Sequence, residues 1–210
     1  MLKCVVYSWS DIYQMCEKLS DKIKESFHPD VIIAIARGGW IPARIICDFL
    51  DIKDLYSVKA EHWGRVATRD KAKLVQRLNV DLTGKDILIV DDVTDTGETV
   101  ILVKEHVKEL GAEMVKTAVL DHKMTSKFVP DYYINKMDSW KWIVYPWSYH
   151  EDTRDFIEKL ALFYEEPENV QKLLAEKYDF NVGLDVIRNV LREYEVGGKN
   201  IEIGRIKEAD

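Results

Sequence analysis

Cysteine is scarce in this chain. There are three, Cys4, Cys16 and Cys47, without the paired spacing of a zinc site. Neither a disulfide framework nor a structural metal is expected from that odd number. Each sits among apolar residues, where a thiol packs as a small hydrophobe. Long hydrophobic runs are lacking too. The longest, 31–36 and 87–90, fall far short of the roughly 20 residues that span a bilayer. The opening Met1-Leu2-Lys3-Cys4 has no apolar core of the kind a secretion signal carries. A cytoplasmic protein without a membrane partner is therefore expected. Positive charge is in deficit: 30 Lys and Arg against 37 Asp and Glu leave a formal net charge of −7. That balance argues against nucleic acid as a partner, but leaves room for a local basic pocket that takes an anionic metabolite. Neither an internal repeat nor a low-complexity tract occurs.

What is present suits a globular protein. Of 210 residues, 47% are hydrophobic and 32% charged, enough to bury a full core while keeping a soluble surface. Residues 3–7 read as a short strand. Ser8 with Asp11 forms a capping box, and Ile12, Cys16, Leu19 and Ile23 recur at helical spacing. The apolar run 31–36 has the character of a strand buried on both faces. Arg37-Gly38-Gly39 turns, and Pro42 opens a helix to about Leu50. Residues 55–60 form a third strand candidate, while 61–76 carry many charges and no period, as a long surface loop would. Residues 85–90 and 115–120 are further strands, separated by a helix from about Glu98 that stops at Gly111. After a segment rich in Tyr and Trp come three helical stretches, 154–165, 167–178 and 184–194.

Alternation of strand and helix over residues 30–120 implies an α/β fold, an open and mostly parallel sheet with helices on both faces. A small hood and a C-terminal helical extension complete it. The expected division is 1–150 for the main domain with its hood and 151–210 for the extension. Ligands of such sheets bind beyond the carboxyl ends of the strands. The loops at 37–39, 61–76 and 91–99 all fall at that edge.

The segment from Val90 to Thr99, Val-Asp-Asp-Val-Thr-Asp-Thr-Gly-Glu-Thr, carries the chemistry. Side chains alternate along a strand, so Asp91 and Asp92 require the chain to turn there if both are to face one ligand. Two adjacent carboxylates at a strand end can accept the cis hydroxyls of a ribose, directly or through Mg²⁺, which favours a few carboxylates plus phosphate oxygens. Thr94, Asp95, Thr96, Gly97, Glu98 and Thr99 lead into a helix N-terminus, where backbone N–H groups and the helix dipole hold a phosphate. The Gly-Lys-Ser/Thr ending of a Walker loop is absent.

This segment resembles the signature of the type I phosphoribosyltransferases, which bind 5-phosphoribosyl-1-pyrophosphate (PRPP). The resemblance covers roughly residues 1–150. It implies ribose and metal contacts for Asp91 and Asp92, with Mg²⁺ as cofactor, and a 5′-phosphate site over 94–99. An Asp at position 95 resembles the 6-oxopurine branch, the hypoxanthine/xanthine-guanine enzymes, in which it faces the purine N7 as the catalytic base. Ala36-Arg37-Gly38-Gly39 is similar to that branch's pyrophosphate loop, which implies pyrophosphate contacts for Arg37, Gly38 and Gly39 and a cis peptide at Arg37–Gly38. Lys123, at the end of the strand Val119-Leu120-Asp121-His122-Lys123, would donate to the purine O6. Trp140-Lys141-Trp142-Ile143 is similar to the branch's Thr-Trp-Ile, which gives Trp142 the stacking role and Ile143 the reading of the base edge. Lys59, Arg65 and Arg69 would offer cations when the 61–76 loop closes. Glu98 departs from the family, and its side chain is expected to point outward and leave its N–H to the ligand.

The resemblance implies purine salvage: PRPP and guanine, hypoxanthine or xanthine give a nucleoside 5′-monophosphate and pyrophosphate. A homodimer or larger homo-oligomer is also implied. The alternative is a PRPP-sensing regulator of the same fold that does no catalysis.

Overall fold

The structure, a computed structural model of the chain, describes residues 3–62 and 72–196. In chain order the elements are β1 (Cys4–Val6), α1 (Trp9–Lys24), β2 (Val31–Ala36), α2 (Trp40–Leu50), β3 (Leu55–His62), β4 (Ala72–Gln76), β5 (Asp86–Thr94), α3 (Glu98–Glu109), β6 (Met114–Lys123), β7 (Tyr132–Met137), β8 (Trp142–Val144), α4 (Tyr149–Lys159), α5 (Pro167–Tyr178) and α6 (Leu184–Val196). They form two compact units. The larger is Tyr7–Lys141; the smaller joins the first residues, through Val6, to the chain from Trp142 onward. By packing, the smaller unit takes in β8, because β1 pairs in parallel with β8 and both belong with the helices that follow.

The larger unit is built on a six-stranded sheet in the order β4-β3-β2-β5-β6-β7. All pairings are parallel except β3–β4. β2 is buried throughout, as its unbroken apolar run requires. Its odd residues, Val31, Ile33 and Ile35, pack with Ile87 and Ile89 against Val100, Val103 and Val107 of α3. α1 and α2 pack on each other and bury Ile12, Cys16, Leu19, Ala43 and Ile46 completely. Helices thus cover both faces. From β2 the chain winds one way to β3, while β5 lies on the other side of β2. The switch point of the sheet is therefore between β2 and β5, where a parallel sheet opens its binding crevice.

α1 begins where its capping box foretells. The Ser8 hydroxyl accepts the Asp11 N–H at 3.2 Å, and Asp11 accepts the Ser8 N–H at 2.8 Å. Ser8→Ala should lower stability by about 1 kcal/mol, read as a fall in the urea midpoint at unchanged slope. A variant with the wild-type midpoint would mean that the box contributes nothing.

Burial pushes the thiols of Cys16 and Cys47 up to about 12 and about 11, so both are inert packing groups. Two expectations change. The segment 61–76 is no single loop: β3 runs to His62 and β4 returns antiparallel from Ala72. And β5 continues through Thr94, paired with β6 as far as Thr94↔His122. No turn occurs at Asp91-Asp92, because β6 is long enough to hold the strand straight. Among the described residues, no helix is long and apolar enough to cross a membrane.

In the smaller unit, β1 and β8 support α4, α5 and α6 around a core of Val144, Phe156, Ile157, Val170, Leu174, Phe180, Ile187 and Val190. α4 starts at Tyr149 and ends at Lys159, earlier at both ends than its apolar spacing suggests.

Candidate functional site

Two chain turns flank the β2/β5 switch point. After β5, Asp95, Thr96 and Gly97 bridge to α3. Gly97 caps that helix at φ +82°, a left-handed conformation that glycine reaches at least cost. A Cβ there would also strike Phe128 Cβ and Ser126 Oγ, each at 2.6 Å. The turn encloses a pocket of about 100 Å³ lined by Asp91, Val93, Thr94, Asp95, Thr96, Gly97, Thr99 and Val100. It unites most of the residues expected around a 5′-phosphate at the N-terminus of α3, where anions are favoured.

Glu98 is not among the lining residues, and its N–H donates to Thr96 Oγ1 at 3.3 Å. The N–H expected to serve a ligand is engaged within the turn. Thr94 also departs from the expected loop position. It is 1% exposed, inside the strand, and its hydroxyl shares a 2.9 Å hydrogen bond with His122 Nδ1.

Asp91 and Asp92 diverge, as successive strand residues must. Asp91 lines the pocket, whereas the Asp92 carboxylate lies where a Cβ on Gly38 would fall. The Asp92 N–H donates to Asp91 Oδ1 at 3.0 Å. Burial, and then the Asp92 charge, push the Asp91 carboxyl well above the usual carboxylate range. Two crowded carboxylates of this kind suit a cation. Among the described residues, no group of three or more His, Cys, Asp or Glu could hold a metal ion. Two carboxylates are the kind of donor set that Mg²⁺ takes when phosphate oxygens and water complete its shell.

After β2 the chain turns through Arg37, Gly38 and Gly39. The cis peptide is Ala36–Arg37, one bond earlier than expected, where the strand ends. The Gly39 N–H donates to Ile35 O at 2.9 Å, so it is not a free donor for an anion. Its missing side chain is what matters: a Cβ would meet Val90 O, Ile35 O and Ile35 N. Arg37 is exposed and Gly38 partly so.

At the carboxyl end of β6, Lys123 Nζ donates to Asp95 Oδ2 at 3.1 Å, from a side chain only 7% exposed. Thr125 Oγ1 donates to Asp95 O at 3.2 Å, and the Lys127 N–H donates to Thr96 O at 3.1 Å. The segment after β6 thus braces the turn after β5. The sequence reading missed these braces, and it missed Trp140. The Trp140 indole N–H donates to Asp95 Oδ2 at 3.2 Å, and Lys123 Nζ lies 4.5 Å from its ring centroid. The one available signal was the cluster of aromatic residues around it.

Trp142 and Ile143 lie in β8 of the smaller unit. The Trp142 indole N–H donates to Asp152 Oδ1 at 2.9 Å, and Lys159 Nζ is 4.6 Å from its ring. Ile143 is opposite Val5. Lys59 is paired with Glu61 at 2.5 Å. Arg65 and Arg69 lie outside the described residues.

His122 is buried against Tyr133, and burial, then the Lys136 charge, hold its imidazole below the usual value. A lowered folded pKa means that the unfolded chain takes up the proton first. Stability is then complete above the unfolded value of about 6.5 and is lost as pH falls from there toward the folded value. The thermal midpoint should drop between about pH 7.5 and pH 5.5, and His122→Gln should flatten that dependence. Identical pH profiles for the two proteins would refute the assignment.

A family model described as phosphoribosyl transferase domain matches residues 6–154. A hypoxanthine-guanine phosphoribosyltransferase of Schizosaccharomyces pombe is 35% identical over 68% of this chain and 87% of its own length. A xanthine-guanine phosphoribosyltransferase of Idiomarina loihiensis is 27% identical over 73% and 91%. Among solved structures, a purine phosphoribosyltransferase from Pyrococcus horikoshii superposes with a TM-score of 0.63 and 39% identity, covering 70% of this chain and 94% of its own.

Proposed function

The chain belongs to the phosphoribosyl transferase domain family, and on that premise we propose that it joins a 6-oxopurine to PRPP, releasing pyrophosphate and a nucleoside 5′-monophosphate. The observation that carries this reading is the pairing of Asp95 with Lys123 beside the phosphate pocket. A carboxylate next to an ammonium offers an acceptor for a purine N–H and a donor for an oxo group. An ammonium rewards a 6-oxo acceptor and finds no acceptor in a 6-amino group. The two named relatives differ in hypoxanthine against xanthine but share guanine and the 6-oxo group. Both are named as transferases, so the regulator reading is set aside.

In the reaction a purine nitrogen attacks C1 of PRPP, the bond from C1 to the pyrophosphate oxygen breaks, and the electron pair leaves with pyrophosphate. The turn over 94–99 holds the 5′-phosphate, with Thr96, Gly97 and Thr99 in the pocket and Glu98 shaping the turn. Asp91 meets the sugar from the pocket after β5 and Asp92 meets it from the side of the Gly38 turn, so that both stand near the positive charge that develops on it. Asp95 takes the proton from the purine, and Lys123 holds O6. Arg37 and the Gly38 backbone meet the leaving pyrophosphate, while Gly39 lets the turn approach β5. Asp91 and Asp92, together with PRPP oxygens, would hold Mg²⁺, which would supply charge neutralisation of the pyrophosphate. Trp142 and Ile143 keep their base-binding roles on the resemblance.

A homo-oligomer belongs to the same proposal. It is supported by the exposed aromatic side chains Trp9, Tyr13 and Trp40 on α1 and α2, and sedimentation velocity tests it. The deciding experiment mixes the protein with PRPP, Mg²⁺ and single bases and follows ultraviolet absorbance. Guanine, hypoxanthine or xanthine should be converted and adenine should not. Turnover of adenine alone, or of no base, would overturn the reading.

A further inference from the structure

Trp140 is assigned no role by the reading above, yet it touches both groups proposed to read the purine. Its indole is a fused bicycle whose five-membered ring carries an N–H. That N–H donates to Asp95 Oδ2, while the ammonium of Lys123 lies against the ring. A purine carrying a proton on N7 offers the same two features, a five-ring N–H for Asp95 and a partner for Lys123. We propose that Trp140 is a base-subsite residue that competes with the purine for Asp95 and Lys123 and so sets the affinity for the base. The inference rests on the proposed roles of those two residues.

The contacts cannot be shared. Asp95 Oδ2 already accepts from Lys123 at 3.1 Å and from Trp140 at 3.2 Å, and Thr125 Oγ1 lies 3.4 Å from Oδ1. Both lone pairs of Oδ2 are thus engaged, and Oδ2 is the oxygen that faces Lys123, so a purine N–H placed beside the ammonium must take the indole's position on it. Lys123 is nearly buried, at 7% side-chain exposure, so its ammonium cannot swing into solvent to serve a base elsewhere. Trp140 is the movable partner. It is 43% exposed and lies in the connection between β7 and β8, outside regular structure. A purine entering between Asp95 and Lys123 therefore displaces the indole. The apparent affinity for the base is reduced by the fraction of molecules in which the indole holds its place.

Competition and support predict opposite signs. If the indole competes, Trp140→Ala lowers the KM for guanine or hypoxanthine by about five- to tenfold, the size expected if the indole holds its place in about 80–90% of molecules. Trp140→Phe keeps a ring beside Lys123, loses the N–H, and should lower it by about threefold. The KM for PRPP stays within about twofold of wild type in both, since Trp140 is not among the residues that line the phosphate pocket. Base binding should also change tryptophan fluorescence in the wild type, and that change should shrink in Trp140→Phe. If the indole instead supports the two groups, both variants raise the base KM. A raised or unchanged base KM, with 6-oxopurines still converted, overturns the competition and leaves the proposed reaction standing. Failure of the wild type to convert any 6-oxopurine overturns both. Because the residue is half-exposed and outside any helix or strand, both variants should fold, and an unchanged thermal midpoint checks this.

Discussion

Replacing Asp95 with Ala should lower kcat by about 10²–10⁴-fold, the span of a positioned general base, while the KM for PRPP moves only a few-fold. The carboxylate lines the pocket at the start of α3 and is 44% exposed on its side chain, so a base can reach it. In the proposed reaction it serves the nucleotide-forming step rather than the holding of the sugar, a role proposed for Asp91, Asp92 and the turn of 94–99. Loss of Asp95 also strips the nearly buried Lys123 of its ion-pair partner, which threatens stability. Asp95→Asn separates the two effects. The amide keeps an acceptor oxygen for Lys123 and the shape of the side chain but cannot take a proton. It should fold with a wild-type thermal midpoint and still lose about 10²-fold or more in turnover. Steady-state kinetics with saturating base decide the matter, and near-normal turnover in the Asn variant would end the assignment of Asp95 as base.

Gly39→Ala should be destabilising in proportion to a backbone collision. The added methyl would meet Val90 O, Ile35 O and Ile35 N, all main-chain atoms of the two central strands. Gly39 itself has φ −68°, an ordinary value, so the penalty comes from close approach and not from conformational freedom. Main chain in the middle of a sheet cannot step aside as a side chain can. A loss of about 2–4 kcal/mol is expected. The neighbouring Gly38→Ala is the control. Its methyl would fall on the Asp92 carboxylate, which can rotate away. That variant should keep its thermal midpoint but lose at least about tenfold in kcat/KM for PRPP, because the carboxylate no longer faces the pyrophosphate turn. Equal stabilities for the two variants would show that the turn is looser than the packing indicates.

The parts of the molecule legible without coordinates are those specified by neighbours in sequence. β2 announces itself as Val31 to Ala36 because both faces are buried and nothing polar interrupts the run. α1 announces itself through Ser8, Asp11 and the spacing of its apolar residues. The segment from Asp91 to Thr99, the end of β5 and the turn after it, is equally local, since carboxylates, hydroxyls and one glycine had to be near one another in sequence to line one pocket. β4 was not legible. Leu74 is its one buried residue, and its neighbours face solvent, so an edge strand with one buried side chain has the polarity of a loop. The end of β5 was not legible either, because what carries it past Asp91 is the length of β6 beside it.

The sequence by itself determined the fold class, the alternation of strands and helices from β2 to β6 apart from β4, and the run of residues that lines the pocket before α3, since each depends on residues within a few positions of one another. Tertiary structure decided the rest. It carried β5 straight past Asp91 and so parted Asp91 from Asp92, buried Thr94 on His122, set Trp140 on Asp95 and Lys123, and paired β1 with β8. The long-range contacts among these join residues far apart along the chain. Whether such groups meet is settled by the register of β5 on β6 and the packing of whole elements, and no local pattern encodes either.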